Sequence, residues 1–295
     1  MTALAGLAVV AAAVVGGYIM AGGHLLVLLQ PAEFIIIGGA AIGAMIIGSG
    51  PTVLKNLVHQ LKHIPKPGPT KQDFLDMLVM LYELLNLARR DGIVALEEHV
   101  EHPEKSAIIQ KYPSFANNRR AVEFMSDTMR LTMSGSGIMP HDLEALMDVD
   151  LETQYEEETK PSSILSVMGD ALPGLGIVAA VLGIVITMGA IDGPAEEIGH
   201  KVGAALVGTF LGVLLSYGFV QPLARNLEHK TAEHERYLVA LKQVLLAHHK
   251  GAVASIAVEF ARRSIYTDVR PDFTELESAC RKTRNSPEMA TANAA

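Results

Sequence analysis

The sequence predicts an all-α, polytopic membrane protein with four transmembrane helices and a helical cytoplasmic domain, and three observations carry that prediction. The chain has 295 residues, 49% of them hydrophobic. Its mean hydropathy of +0.29 is high for a soluble protein and low for one buried wholly in lipid. The apolar residues concentrate in four stretches, roughly 3–21, 34–50, 171–191 and 202–221, which meet the length of about 20 residues that a helix needs to cross a bilayer. Between them the hydrophobic spacing is helical, with no alternating strand pattern and no glycine-rich phosphate loop after a strand.

The first stretch lacks a basic leading region and a small-residue cleavage site, so it reads as a retained span and not as a signal peptide. The second is short by itself. With Leu25 to Leu29 before it, the pair forms a hairpin broken at Gln30 and Pro31. The breaker-rich "HIPKPGPTK", residues 63–71, is a linker. Next, "TKQDFLDMLVMLYELLNLARR" carries Phe74, Leu75, Leu78, Leu81 and Leu85 at three- and four-residue steps, an amphipathic helix whose acidic start and basic end suit the macrodipole. Further helices fit "NNRRAVEFMSDTMRLTM" and "PHDLEALMDVDLETQYEEET", with the acidic tract from Asp142 to Glu158 on a solvated face. Beyond Pro222 the chain is helical almost throughout, so the last span runs on into a long cytoplasmic helix, and the final "NSPEMATANAA" reads as disordered. Four segments result: a membrane hairpin over 1–50, a cytoplasmic helical domain over 51–169, spans three and four over 170–222, and a cytoplasmic helix and tail over 223–295.

Basic residues set the orientation. Of the 24 Lys and Arg, 12 lie between 51 and 169 and 11 after residue 222, which puts both large hydrophilic parts in the cytoplasm. A net charge of −8 argues against nucleic acid, whose phosphates require a basic surface. The single cysteine, Cys280, forms no internal disulfide and has no histidine at zinc spacing, and no metal or cofactor is expected. No ionisable residue falls in the middle of the four stretches, although ion pathways are normally marked by such groups. If ions cross here, another subunit supplies the charge.

What remains in the spans is a set of hydroxyls, glycines and prolines. Pro173, Ala180 and Thr187 lie seven apart on one helix face, and Thr209, Gly212 and Ser216 share a face on the next span. Counting about 1.5 Å per residue places Thr187 and Thr209 at similar depths, roughly 20 Å from the cytoplasmic boundary. Either these hydroxyls line a polar path, or they bond to their own helix carbonyls. Pairs four apart (Gly39 and Gly43, Gly199 and Gly203, Gly208 and Gly212) allow close helix approach and suggest an oligomer. Pro173 reads as a first-turn proline with Asp170 capping the helix ahead of it. Pro222 has helical sequence on both sides and reads as a kink. In "ARRDGIVALEE", Arg89 and Arg90 precede Gly92, and Glu97 and Glu98 follow it. This is either a solvated break between two helices or a patch of both signs that meets a charged partner. A hydrolase built on Ser216 with His200 or His24 is excluded by depth, since the histidines sit at the outer ends of spans and Ser216 near the cytoplasmic end.

The stretches "PGLGIVAAVLGIVITMGAI" and "VGAALVGTFLGVLLSYGFVQPLA" closely resemble the third and fourth spans of the MotA family of flagellar stator subunits. "ARRDGIVALEEHVEHPE" resembles that family's cytoplasmic motif, and the likeness extends over nearly the whole chain. The related ExbB and TolQ proteins share the last-two-span core but usually have three spans, so an ExbB/TolQ-type energiser of outer-membrane transport is the alternative reading. The resemblance implies a homopentamer in the lipid of the bacterial inner membrane, around two copies of MotB, whose transmembrane Asp carries the ion. It implies that Arg89 and Glu97, with Arg90 and Glu98 as neighbours, engage the rotor protein FliG. Pro173 and Pro222 match prolines tied to conformational change, and Thr209 matches a threonine facing the ion path. At Ala180 sodium-driven relatives carry Thr, which implies H+ as the ion conducted here.

Overall fold

The computed structural model describes residues 2–135, 137–189 and 191–284, so the polar tail 285–295 lies outside it. Among the described residues the secondary structure is helical throughout. Four helical stretches are long and apolar enough to cross a membrane: Ala3–Met20, Leu25–Gly48, and parts of Pro140–Met188 and Ala195–His249. The chain divides into two compact units, one from the residues up to Pro67 together with Glu156–Thr231, the other from Gly68–Tyr155 together with the residues from Ala232 on.

In the first unit, helix α1 (Thr2–Met20) is followed by a single turn, α2 (Leu25–Leu28). The chain breaks at Gln30, whose side-chain amide donates back to the Val27 carbonyl at 3.1 Å. Pro31 then opens α3 (Pro31–Gly48) and Pro51 opens the amphipathic α4 (Pro51–Lys62). Both prolines occupy a first helical turn, where the missing N–H has no partner to lose. The carbonyls just past α4, at His63, Ile64 and Lys66, accept from the Lys230 ammonium, which closes that helix end.

The third apolar stretch belongs to a longer helix than the sequence suggests. The acidic stretch and the third span form a single helix, α9 (Pro140–Met188), that passes through Pro161 and Pro173. Pro173 is therefore an interior residue and Asp170 is no helix cap, which corrects the first-turn reading. Near Pro161, Ser162 Oγ donates to the Thr159 carbonyl at 2.8 Å, and Thr159 Oγ to that of Glu156 at 3.1 Å. The fourth span behaves as expected. Helix α10 (Ala195–Val213) passes through a π-helical stretch, Leu214–Val220, into α11 (Gln221–His249). The wide turns lie immediately before Pro222, whose missing N–H leaves the ordinary ladder one donor short.

α9 and α10 meet along a seam of small residues. A Cβ on Gly212 would stand 2.6 Å from the Leu172 carbonyl oxygen and 2.8 Å from Gly176 Cα, and a Cβ on Gly183 would stand 2.7 Å from that of Ala205. Such approach is open only to glycine. Of the three glycine pairs singled out from sequence, only Gly208 and Gly212 are packed this way; Gly39, Gly43, Gly199 and Gly203 face open space within the chain. Ile37 and Ala41 of α3 close over the seam with Leu172, Ala179, Val207 and Leu211.

The second unit is built on α5 (Lys71–Asp91), whose Thr70 and Asp73 form a reciprocal capping box. Phe74, Leu78, Leu81 and Leu85 are buried, as their spacing predicts. They pack with Phe124 and Met125 of α8 (Arg119–Met133), Leu143 and Met147 of α9, and Tyr237 and Leu241 of α11. Short turns α6 (Glu97–Glu101) and α7 (Pro113–Ala116) precede α8. Beyond Gly251, whose φ of +89° ends α11, come α12 (Ala254–Ser264) and α13 (Phe273–Arg284).

Gly212→Ala should destabilise the folded chain by about 1–3 kcal/mol, the usual cost of overpacking, and Gly39→Ala should leave it unchanged. Thermal unfolding of the two variants in detergent checks this, and equal melting of both would contradict the seam.

Candidate functional site

The membrane-type residues cluster around the seam. Ala180 and Thr209 are half-buried beside it, and the Ala180 amide nitrogen lies 3.0 Å from where a Cβ of Gly208 would stand. Thr187 is fully buried, and its Oγ donates to the Gly183 carbonyl at 2.8 Å. Of the two readings left open for Thr187, the self-capped hydroxyl describes its state in the isolated chain. Ser216 is fully buried in the π-helical stretch, and its Oγ has no hydrogen-bond partner among the described residues.

The two prolines are joined by a residue that sequence reasoning passed over. Gln221 immediately precedes Pro222, and its side-chain amide donates to Asp170 Oδ1 at 2.6 Å and to the Ser166 carbonyl at 3.2 Å, while Ser166 Oγ donates to Gln221 Oε1 at 3.2 Å. Gly169 makes room for this clamp, since a Cβ there would stand 3.0 Å from the Gln221 amide nitrogen. Asp170 thus braces α9 against the start of α11 between the two prolines. A polar amide inside "GFVQPLA", where the apolar run ends, was the available signal.

Glu33 is the second omission. It lies within the apolar stretch Leu25–Gly48, yet it falls one residue outside the span drawn from hydropathy at 34–50. Its side chain is buried between α9 and α10, 7% exposed. The middles of the four stretches hold no ionisable residue, yet this group at the start of one of them is buried against the apolar seam. The lone carboxylate in "QPAEF", just after a helix-opening proline, was the signal.

The charged motif occupies the other unit. α5 ends at Gly92, which adopts φ +88°, and a 3₁₀ turn over Ile93–Leu96 leads into α6. Arg89, Arg90, Glu97 and Glu98 are all exposed around this break. Arg90 is bound to Asp91, Nη2 to Oδ2 at 2.7 Å. The pair raises the guanidinium pKa and holds the Asp91 carboxyl below the usual range through the hydrogen bond between them. Arg89 and Glu97 make no ion pair among the described residues, so their charges stay available. Between them Ile93 and Val94 present apolar surface, Val94 at 71% exposure.

Long apolar helices crossing on glycine, with interior prolines and a separate charged loop, define a class: an all-helical protein of membrane type. Comparison with known proteins agrees. The motility protein A N-terminal model matches residues 4–92, and the MotA/TolQ/ExbB proton channel family model matches residues 117–239. The chain is 42% identical to motility protein A of Salmonella typhimurium over 295 residues, 99% of each chain, and 40% identical to that of Escherichia coli over 292 residues, again 99% of each. Its fold is similar to that in the structure of C. jejuni MotAB, with a TM-score of 0.75 at 19% identity over 90% of this chain and 96% of that one. It is also similar to the flagellar MotAB stator complex from Bacillus subtilis, with a TM-score of 0.71 at 22% identity over 88% and 93%. The chain belongs to the motility protein A family.

If Gln221 and Asp170 act as one clamp, a double-mutant cycle of Gln221→Ala and Asp170→Ala should return a coupling energy of about 1 kcal/mol in unfolding measurements. Additive losses, with coupling below about 0.3 kcal/mol, would separate the two residues.

Proposed function

We propose that this chain is a stator subunit of the bacterial flagellar motor, an inner-membrane protein that forms a proton-conducting complex with MotB and turns ion flow into torque on the rotor. The observation that carries this reading is the 42% identity to a motility protein A across 99% of both chains. The match of residues 4–92 to the N-terminal motility protein A model favours it over an ExbB/TolQ-type energiser, because that region holds the two apolar helices that bring the total to four, where ExbB and TolQ proteins usually have three.

In this reading the four apolar helices all span the membrane, and the hydrophilic regions lie in the cytoplasm, as the distribution of Lys and Arg supports. Five copies surround two copies of MotB, whose Asp carries the proton. Apolar side chains left exposed on α9 and α10, among them Ile177, Val181, Ile184, Leu206 and Phe210, supply surface for those neighbours and for lipid. Thr209 and Ala180 flank the ion path. Each proton crossing about 150 mV delivers roughly 3.5 kcal/mol at about 2.3 kcal/mol per 100 mV. Protonation of the partner's Asp shifts which packing of the subunits is favoured, and the segment of Pro173 and Pro222, clamped by Gln221, carries the change. Arg89 and Glu97 engage FliG; Arg90 is less available because Asp91 binds it. No covalent chemistry is involved.

Reversing Arg89 to Glu or Glu97 to Lys should impair swimming while membrane insertion and MotB binding persist, with partial rescue by opposite reversals on FliG. Normal swimming of the Arg89→Glu, Glu97→Lys double variant would contradict that contact.

Ion choice follows from the wall. A sodium ion must exchange its water shell for several oxygen ligands, whereas residue 180 offers a methyl group. Swimming speed should therefore collapse with a protonophore and be indifferent to replacing sodium by potassium. A speed that rises steeply with external sodium at fixed pH, and that phenamil blocks, would overturn the assignment.

A further inference from the structure

Glu33 lies in the first turn of α3, yet its carboxyl enters a notch between α9 and α10. Gly183 and Gly208 create that notch by having no side chains. A Cβ on Gly208 would stand 2.6 Å from Glu33 Oε2 and 3.0 Å from the Ala180 amide nitrogen, and one on Gly183 would stand 3.7 Å from Oε1. Inside the notch Oε2 is buried and has no hydrogen-bond partner among the described residues, and the residue as a whole is 7% exposed. On α1, the turn ahead of α2, the part of α9 beyond Pro161, the connection that follows it and α10, the ionisable groups among the described residues are Tyr18, His24, Asp170, Asp192, Glu196, Glu197, His200 and Lys201. Lys201 is bound to Glu197 at 2.8 Å and Asp170 to Gln221 at 2.6 Å. None of these groups pairs with Glu33 among the described residues.

A carboxylate stripped of water and left without a cation is costly to keep ionised, whereas the neutral acid loses far less solvation on burial. We propose that Glu33 is a proton-binding site of this chain, seated in the glycine notch as a neutral acid and fastening α3 to α9 and α10 for as long as the proton stays. On release, one O–H bond breaks and the proton passes to water. The carboxylate must then leave the notch or draw water into it, and the contact of α3 with the seam loosens. The site adjoins Thr209, the neighbour of Gly208 in sequence, so a protonatable group stands beside the proposed ion path on this chain as well as on the partner. Gly208 serves the site directly, because any side chain there would occupy the place of the carboxyl.

The proposal rests on the membrane placement given under Proposed function only in that lipid keeps water from the notch. It is tested on the full chain, purified with its MotB partner and reconstituted in lipid nanodiscs, by infrared spectroscopy and amide hydrogen exchange. At neutral pH the wild type should show the C=O stretch of a protonated carboxyl that is lost in Glu33→Gln. Raising the pH should remove the band and speed exchange over residues 31–48 relative to Glu33→Gln, which keeps a neutral side chain in the notch. Absence of a band assignable to Glu33 at neutral pH would overturn the proposal. So would exchange over 31–48 that follows the same pH course in both proteins. Infrared dichroism of the helices in oriented bilayers of the same complex reports the membrane placement separately.

Discussion

Two backbones touching at Gly176 and Gly212 are the contact on which the membrane-type unit depends. Between helices in lipid there is no hydrophobic gain from association, since the tails are as apolar as leucine, so the gain comes from close van der Waals packing. A Cβ on Gly212 would reach within 2.6 Å of the Leu172 carbonyl, which means the packing tolerates glycine alone. The same seam, one to two turns further along, opens at Gly183 and Gly208 into the notch that receives Glu33. Close approach and a place for a buried carboxyl are thus two results of one pattern of missing side chains. Ile37 and Ala41 bring α3 onto that pattern and so carry Glu33 to it.

The prolines act on the same helices from the other end. Neither Pro173 nor Pro222 terminates its helix; each removes one backbone hydrogen bond from a helix that continues. Around Pro222 the consequence is visible as wide π-helical turns over Leu214–Val220. A helix with a local defect bends more easily there than elsewhere, and the hydrogen bonds of Gln221 to Asp170 and Ser166 hold the two defective regions together. The account of the motor proposed here needs this combination: a rigid glycine seam beside a compliant, polar-clamped segment.

The fold class was legible because it rests on long runs. Apolar stretches and the 3.6-residue spacing of Phe74, Leu78, Leu81 and Leu85 each average over many residues, so tertiary context has little room to override them. The break at Gln30 and Pro31 and the helical run through Pro222 were legible for the same reason. What failed were inferences from single residues. Pro173 takes the commonest place for a proline, a first helical turn, in the sequence reading, but nothing in the local sequence reports that α9 runs unbroken from Pro140 through Pro161 and Pro173 to Met188. Glu33 goes unmarked because hydropathy draws the span from residue 34; its burial follows from glycines about 150 and 175 residues away, which no local window connects to it. Gln221 escaped notice since its partner, Asp170, had been read as a cap. The unpaired state of Arg89, by contrast with Arg90, depends on which arginine Asp91 binds, and adjacency alone does not decide that.

The central claim is that the glycine seam stays closed and works as one body while the exposed faces of α9 and α10 meet the other subunits. A cryo-electron microscopy structure of the full chain with its MotB partner in a lipid bilayer tests this most directly. The account predicts Gly176 and Gly212 in backbone contact, with the partner helix against exposed residues such as Ile184 or Leu206. A partner helix inserted between α9 and α10, with Gly176 and Gly212 separated by side chains, would contradict it.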